Sequence, residues 1–359
     1  MNFFRLGRPL AIVLVATFAL SSCAANERRT ANDSDLKGTL NAAGASSQGA
    51  AQQTWVAGFQ TAHPDATVNY DPSGSGAGRE SFIGGGASFA GSDSYLNDEE
   101  LAGTFATCAP GTSAIDLPVY IAPIAVIFRL DGIDDLRMDP ATLAGIFASD
   151  ITRWDDPAIA ALNPDTALPD LFITAVHRSD DSGTTKNFAD YLFQAAPEVW
   201  SAEPSDTFPF SSGEGAAQTS GVVSAVTNGV GTIGYTDASR AGELDIVRLK
   251  VGDDFVTYTA EAAAASVAGS PRVPGRADND LALDLNRITT DPTEYPLVLV
   301  SYAIVCTEYA DAQQGELVKE YVTYLVSAAG QAEAAASAGS APMSSDLQET
   351  VTAIVATIS

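Results

Sequence analysis

The segment "AVHRSDDSGTTKNFADYLF", residues 175–193, brings Arg178, Asp180, Asp181, Ser182, Gly183, Thr184 and Thr185 close together. Two chemistries fit these residue types. A serine with histidine and carboxylate nearby has the parts of an activated nucleophile. Hydroxyls, a glycine and an arginine at the start of a helix have the parts of an anion cradle, because the first N–H groups of a helix are unpaired and carry partial positive charge. Position favours the cradle. His177 and Arg178 are consecutive on the strand-like "LFITAVHR", so their side chains point to opposite faces. An Arg178 aimed into a cleft takes His177 out of it.

Other enzyme patterns also fail. In a G-x-S-x-G reading, Ser75 has Ser73 where the first glycine belongs, and Ser46 has Gln48 in place of the second. Ser182 to Lys186 is one residue too long for S-x-x-K. "DSGTT" resembles the serine region of metal-dependent phosphatases, but those need several histidines, and the chain has only His63 and His177, far apart. His63 precedes Pro64 after a helical run and reads as a solvated loop residue. "GVGTIG", residues 229–234, matches G-x-G-x-x-G, but it follows a helix and enters a strand, the reverse of a dinucleotide site. No metal or cofactor is expected.

The cradle grammar of small and hydroxyl residues between strand and helix recurs in "AGASSQG", residues 43–49, and "DPSGSGAGRES", residues 71–81. One such turn is an ordinary helix cap. Three in one chain point to a shared anion site, to which Arg178 adds a planar bidentate fork. Asp180 or Asp181 can pair with that fork while it holds a ligand. Asp93 allows two readings, a cap for the following turn or a ligand contact.

The elements that position these turns alternate. "GTLNAAG", "ATVNYD" and "ASFAGSD" are strand-like; "QGAAQQTWVAGFQTAH" has helical spacing at Ala51, Trp55 and Phe59; "NDEELAGTF" is a helix capped by Asn97 or Asp98. "IDLPVYIAPIAVIFRL" is a long apolar run. "DPATLAGIFASD" and "DDPAIAALN" open on Asp-Pro as short helices. "SGTTKNFADYLFQAA" and "AAQTSGVVSAVTNG" are helices, and "GTIGYTDAS" and "YPLVLVSYAIVC" strands. "GELVKEYVTYLVSAAG" reads as one helix and "SSDLQETVTAIVATIS" as a last one. This is α/β alternation. With 359 residues, 46% hydrophobic, two lobes are expected. Crossovers near Pro118–Ile121 and Thr290–Val298 would make lobe one discontinuous, with a ligand cleft between the lobes.

The formal charge is −27, from 18 Lys and Arg against 45 Asp and Glu, which excludes nucleic acid as a partner. Arg5 and Arg8 precede the apolar "LAIVLVATFAL", and "LSSC" ends at Cys23. This is an export signal over residues 1–22 with a bacterial lipoprotein processing site; an ordinary signal peptide is the alternative. Its removal takes two arginines and no acid, leaving −29. Residues 23–37 read as a lipid-anchored flexible tether. Cys108 and Cys306 are either a disulfide, as suits an exported chain, or two buried thiols.

"AAGASSQGAAQQTW", "VNYDPSGSGAGRESF", "FAGSDSYLNDEEL", "DPATLAGIFASDITRWDDPAIAALNP", "VHRSDDSGTTKNFADYL", "GVGTIGYTDAS" and "GQAEAAASAGSAPM" occur in that order. On these segments the chain resembles the PstS-type phosphate-binding proteins of bacterial phosphate ABC importers. The resemblance implies a two-lobed periplasmic-binding-protein (type II) α/β fold with hinge strands and a central cleft. Lobe 1 would comprise residues 38–118 plus 294–359, and lobe 2 residues 119–293. It implies a non-enzymatic, monomeric protein at the outer face of the cell membrane that passes inorganic phosphate to permease subunits. The phosphate contacts carried over are Ser46, Ser47, Ser75, Asp93, Arg178, Ser182, Gly183 and Thr184, with Asp180 bracing Arg178. Ser47 stands where the family often has an aromatic residue. A secreted phosphoester hydrolase using Ser182, a sulfate or molybdate binder, and an adhesin or scaffold on the same fold are the alternatives. Asp181 reads only as a helix cap.

Overall fold

Short apolar strands alternating with helices give a mixed α/β architecture in Leu36–Ser359, the residues that the computed structural model describes. The expected signal peptide, Cys23 and the tether up to residue 35 lie outside the described residues. The elements are β1 (Gly38–Gly44), a 3-10 turn (Ser46–Gln48), α1 (Gly49–Ala62), β2 (Ala66–Asp71), α2 (Ser75–Ile83), β3 (Phe89–Ser92), α3 (Asp98–Leu101) and β4 (Ala114–Arg129). There follow β5 (Leu136–Met138), α4 (Pro140–Phe147), α5 (Pro157–Leu162), β6 (Thr174–Arg178), α6 (Gly183–Ala195), β7 (Glu214–Ala216), α7 (Gln218–Asn228) and β8 (Thr232–Asp237). The chain ends with β9 (Asp245–Val251), β10 (Asp254–Val256), α8 (Ala260–Ala268), β11 (Val298–Cys306), α9 (Ala312–Val326), α10 (Ala328–Ala338) and α11 (Ser345–Val355).

One curled sheet runs in the order β2-β1-β3-β11-β4-β8-β6-β7, with β9 branching from β4 and β5 and β10 pairing with β9. β1 is parallel to β2 and β3, β6 is parallel to β8 and β7, and β11 and β4 run antiparallel between these groups. The strand ends that lead into helices therefore carry the three hydroxyl-rich turns. β4 joins the two halves. Its first part pairs with β11 as far as Pro123, and from Ile124 it pairs with β8. Every residue of β4 except Arg129 is buried, which explains its nearly continuous apolar sequence, interrupted by the buried Asp116. Pro118 lacks a backbone donor, and the β4–β11 register shifts beside it, at Ser301/Tyr302.

Each half has its own aromatic packing. Phe59 and Phe89 lie 5.0 and 5.6 Å from Tyr321, fixing α1 and β3 against α9. Phe188 of α6 stacks on Tyr235 of β8 at 4.2 Å, with Phe147 of α4 closing the cluster. Asp139 and Asp156 cap α4 and α5 ahead of an N-terminal proline, the arrangement expected from Asp-Pro. The segment expected to be one helix after Gly315 is two. Ser327 takes extended dihedrals, ends α9 and caps α10 through Gly330 N. His63 ends α1 half-buried, its ring 4.6 Å from that of Phe59.

Cys108 and Cys306 form a disulfide across 198 residues, with Cα atoms 5.3 Å apart. The bridge ties the approach to β4 to the end of β11, so it restrains a very long loop of the unfolded chain. Replacing both cysteines by alanine is expected to remove about 2–5 kcal/mol of stability, read from denaturant midpoints. An unchanged midpoint would refute a structural role for the bridge.

Candidate functional site

Where β1, β2, β3 and β6 end, their following turns meet. Ser46, Ser47, Ser75, Asp93, Arg178, Ser182 and Thr184 are all at most 9% exposed, although each is polar. Buried polar groups need partners, and the partners show how the site is built. Ser75 opens α2, and its Oγ accepts the N–H of Asp93 at 3.1 Å. Ser182 caps α6, and its Oγ accepts Thr185 N–H at 3.2 Å. Ser46 Oγ accepts Thr219 N–H at 3.2 Å and lies 2.8 Å from Thr219 Oγ1. A hydroxyl whose oxygen already accepts keeps its proton to donate. Each turn thus fixes a serine; Ser75 and Ser182 keep an O–H for something else, as does Ser46 when Thr219 Oγ1 is the donor of their contact.

Asp93 is the centre of this arrangement. Oδ1 accepts from Ser301 Oγ at 2.6 Å, Oδ2 accepts from Thr184 Oγ1 at 2.9 Å, and Ser47 Oγ lies within 2.8 Å of both oxygens. It is no helix cap: Asn97 caps α3, with Glu100 completing a capping box. Burial pushes the Asp93 carboxyl above its ordinary range; the hydroxyls of Ser301, Ser47 and Thr184 and the charge of Arg178 pull it partly back. A carboxylate offers about four lone-pair positions, and three hydroxyl protons fill three. The remaining acceptor suits a ligand that brings its own proton.

Arg178 is buried at the end of β6, and His177 turns to the opposite face, as alternation requires. There the His177 ring stacks on Phe208 at 4.0 Å and its Nδ1 lies 2.9 Å from Arg178 O. Arg178 Nε and Nη2 face Asp180, Nε at 2.7 Å from Oδ1. Burial disfavours the ionised Asp180, but the Arg178 fork outweighs it and holds the carboxyl below its ordinary range. Asp180 Oδ1 also accepts Gln218 N–H at 2.9 Å, and Gln218 has a left-handed φ of 60°. For a residue with a side chain that conformation is costly, and the carboxylate steadies it at the start of α7. The Nη1 edge of Arg178 is the part that Asp180 does not use.

Asp181 differs from its expected role. Ser182, not Asp181, caps α6. The Asp181 carbonyl accepts Gly76 N–H at 3.1 Å, and its Oδ1 accepts Thr207 Oγ1 at 2.7 Å. It joins the second turn to the third. Sequence reasoning also missed Ser301, Thr219, Asn187 and Asp237. Ser301 was visible as a hydroxyl inside the apolar "YPLVLVSYAIVC", and Thr219 as the start of a fourth strand-to-helix turn. Asn187 Nδ2 binds the Asp93 carbonyl at 2.8 Å. Asp237, buried at the end of β8 and 3.1 Å from the Tyr120 hydroxyl, has its carboxyl pushed up to about 7, chiefly by burial.

The set can therefore surround a small oxyanion with neutral O–H and N–H donors, one guanidinium edge and one acceptor. Among the described residues no cluster of three or more His, Cys, Asp or Glu side chains is placed to hold a metal ion.

A family model described as a PBP superfamily domain matches residues 29–329. The phosphate-binding protein PstS 3 of Mycobacterium tuberculosis is 35% identical over 345 residues, covering 91% of this chain and 92% of that protein. The phosphate-binding protein PstS2 of Mycobacterium bovis is 33% identical, with all of both chains covered. Among solved structures, the periplasmic phosphate-binding protein PfluDING, bound with phosphate, superposes with a TM-score of 0.71 at 23% identity. That match covers 88% of this chain and 93% of the other.

Gly183 shows how closely the turns are packed. A Cβ there would lie 2.7 Å from Asp93 Cβ and 2.8 Å from Ser75 Oγ. Gly183→Ala is expected to cost about 1–3 kcal/mol of stability, as overpacking does, read by chemical denaturation. A variant as stable as the parent would show that the turns are not held in this contact.

Proposed function

We propose, for a chain that belongs to the PBP superfamily and stands among its PstS phosphate-binding members, that it captures inorganic phosphate outside the cytoplasm and delivers it to the permease of an ABC importer. The observation that carries this reading is Asp93, a buried carboxylate with one acceptor position left among converging donors. Monobasic and dibasic phosphate retain a proton to give it; sulfate at neutral pH has none. Against sulfate the unmet acceptor would be a buried, repulsive charge, costing about 1–3 kcal/mol or more.

In this reading Ser46, Ser75 and Ser182 give hydroxyl protons, Ser47, Gly183 and Thr184 give main-chain N–H groups, and Arg178 gives its Nη1 edge. Asp180 holds Arg178 in place. The donors are nearly all neutral, so binding an anion does not require a basic surface, and a charge of −27 is compatible with the role. Lobe 1 (residues 38–118 plus 294–359) and lobe 2 (119–293) would close on the ligand about β4, shifting a population toward the closed form.

The role is binding without catalysis. Ser182 Oγ serves as a cap, and His177 is stacked on Phe208, which disfavours the hydrolase alternative. The anchor proposed at Cys23 would keep a monomer at the outer face of the membrane. No helix among the described residues is long and apolar enough to cross a membrane.

Calorimetry is expected to show saturable binding of phosphate by the whole protein, and Arg178→Ala is expected to lose about 3 kcal/mol, roughly a hundredfold in Kd. Absence of phosphate binding by the parent would overturn the function. Parental affinity in a folded Arg178→Ala variant would remove Arg178 from the site. Turnover of a chromogenic phosphoester that disappears in Ser182→Ala would restore the hydrolase.

A further inference from the structure

We infer that Asp206 and Arg79 form a latch that keeps the Ser182 donor turn closed over the ligand and governs how fast phosphate leaves. This rests on the phosphate-binding reading above and goes beyond it, because neither side chain belongs to the oxyanion cradle. Asp206 lies in the connection between α6 and β7. That connection is fastened to its own half of the sheet by aromatic packing: Trp200 stands edge-on to Phe210 at 4.9 Å and to Phe188 at 6.4 Å, and Phe208 stacks on His177. From this base Asp206 reaches the other half.

Its three oxygens are all engaged. The main-chain carbonyl accepts Ser182 N–H at 2.9 Å, so it holds the residue that caps α6. Oδ2 lies 2.5 Å from Arg79 Nη2 on α2, and Oδ1 accepts Ser94 Oγ at 2.5 Å. Ser94 follows Asp93 directly. One residue therefore connects the donor turn to the strand end that carries the acceptor. Arg79 is braced in turn by Glu100 at 2.9 Å and Ser92 Oγ at 3.1 Å. Facing two carboxylates, it has its charge met within the protein and is not a ligand cation.

The latch is mostly buried, with side-chain exposures of 8% for Arg79 and 14% for Asp206, so water screens it less than a surface pair. Removing one partner leaves the other charge buried and unmatched, which is why such pairs are sensitive to truncation. Its position suits a gate. A cavity of about 320 Å³ lies beside Asp93, with Ser94 and Pro204 of the Asp206 connection in its wall. Asp93 itself lines that cavity, so parting Ser94 from Asp206 would widen the way between the acceptor and the cavity. The latch thus acts on retention, whereas Asp93 acts on the choice of anion.

The test is stopped-flow dissociation and calorimetry with inorganic phosphate on the parent, Asp206→Asn and Ser94→Ala, each checked by thermal melting. Asp206→Asn is expected to raise the dissociation rate and Kd about 30-fold or more, the low end for truncating one partner of a buried charge pair. Its phosphate-to-sulfate affinity ratio is expected to stay parental. Ser94→Ala, which deletes only a neutral donor, is expected to give a smaller rise of the same kind. Small-angle scattering of phosphate-saturated Asp206→Asn is expected to show a larger radius than the parent.

Parental dissociation rates in both folded variants, with a parent that binds phosphate, would overturn the latch alone. A parent that gives no heat with phosphate would overturn the latch together with the function it serves. If Asp206→Asn does not fold, Ser94→Ala decides: a parental rate refutes the latch and a faster rate supports it. A variant that loses phosphate and sulfate preference together with affinity would place Asp206 in ligand selection and refute the division of roles.

Discussion

Burying the Asp93 carboxylate costs several kcal/mol unless its lone pairs are met, and the fold meets three of them from separate parts of the chain. Ser47 comes from the turn after β1, Thr184 from the start of α6, and Ser301 from β11. Ser75 and Asn187 hold the backbone of Asp93 itself. The turns cannot move apart without exposing or stranding this group. The antiparallel pairing of β11 with β3, which sets Tyr302 opposite Ser92, brings Ser301 beside Asp93.

A second buried charge is handled differently. Arg178 is balanced locally by Asp180, two residues along, and Asp180 is steadied by the N–H of Gln218. The pair therefore arrives preformed on one turn, and only one edge of the guanidinium is left to a ligand. Preformed dipoles and an internally balanced arginine allow strong anion recognition with little net positive charge. This separates the chemistry of the site from the acidic surface, which governs encounter and solubility.

Much of this was legible in the sequence, for physical reasons. The hydroxyl-rich turns announce themselves because strand-to-helix junctions need small residues and caps, and Arg178 and Asp180 are close enough in sequence to be paired by inspection. The opposite facing of His177 and Arg178 follows from strand geometry alone. Asp93 was ambiguous on local grounds, and only the family resemblance favoured ligand contact. The partners that complete the site were not legible: Ser301 is 208 residues from Asp93, Thr219 is 173 from Ser46, and Asp206 is 127 from Arg79. Such contacts depend on tertiary packing rather than local pattern. The three-residue strands β5, β7 and β10 are likewise too short to carry a period of two. Asp181 was misread because its main-chain carbonyl, which sequence does not distinguish, makes the contact to Gly76.

The central claim is that Asp93 recognises a proton on the anion. Its most direct test is the ratio of phosphate to sulfate affinity, measured by calorimetry at neutral pH, for the parent and for Asp93→Asn. An asparagine keeps the size of the side chain but can turn a donor toward the ligand. The parent is expected to prefer phosphate strongly, and the preference of the variant to fall at least about tenfold, or roughly 1.4 kcal/mol. Equal affinity of the parent for both anions, or an unchanged ratio in the variant, would contradict it.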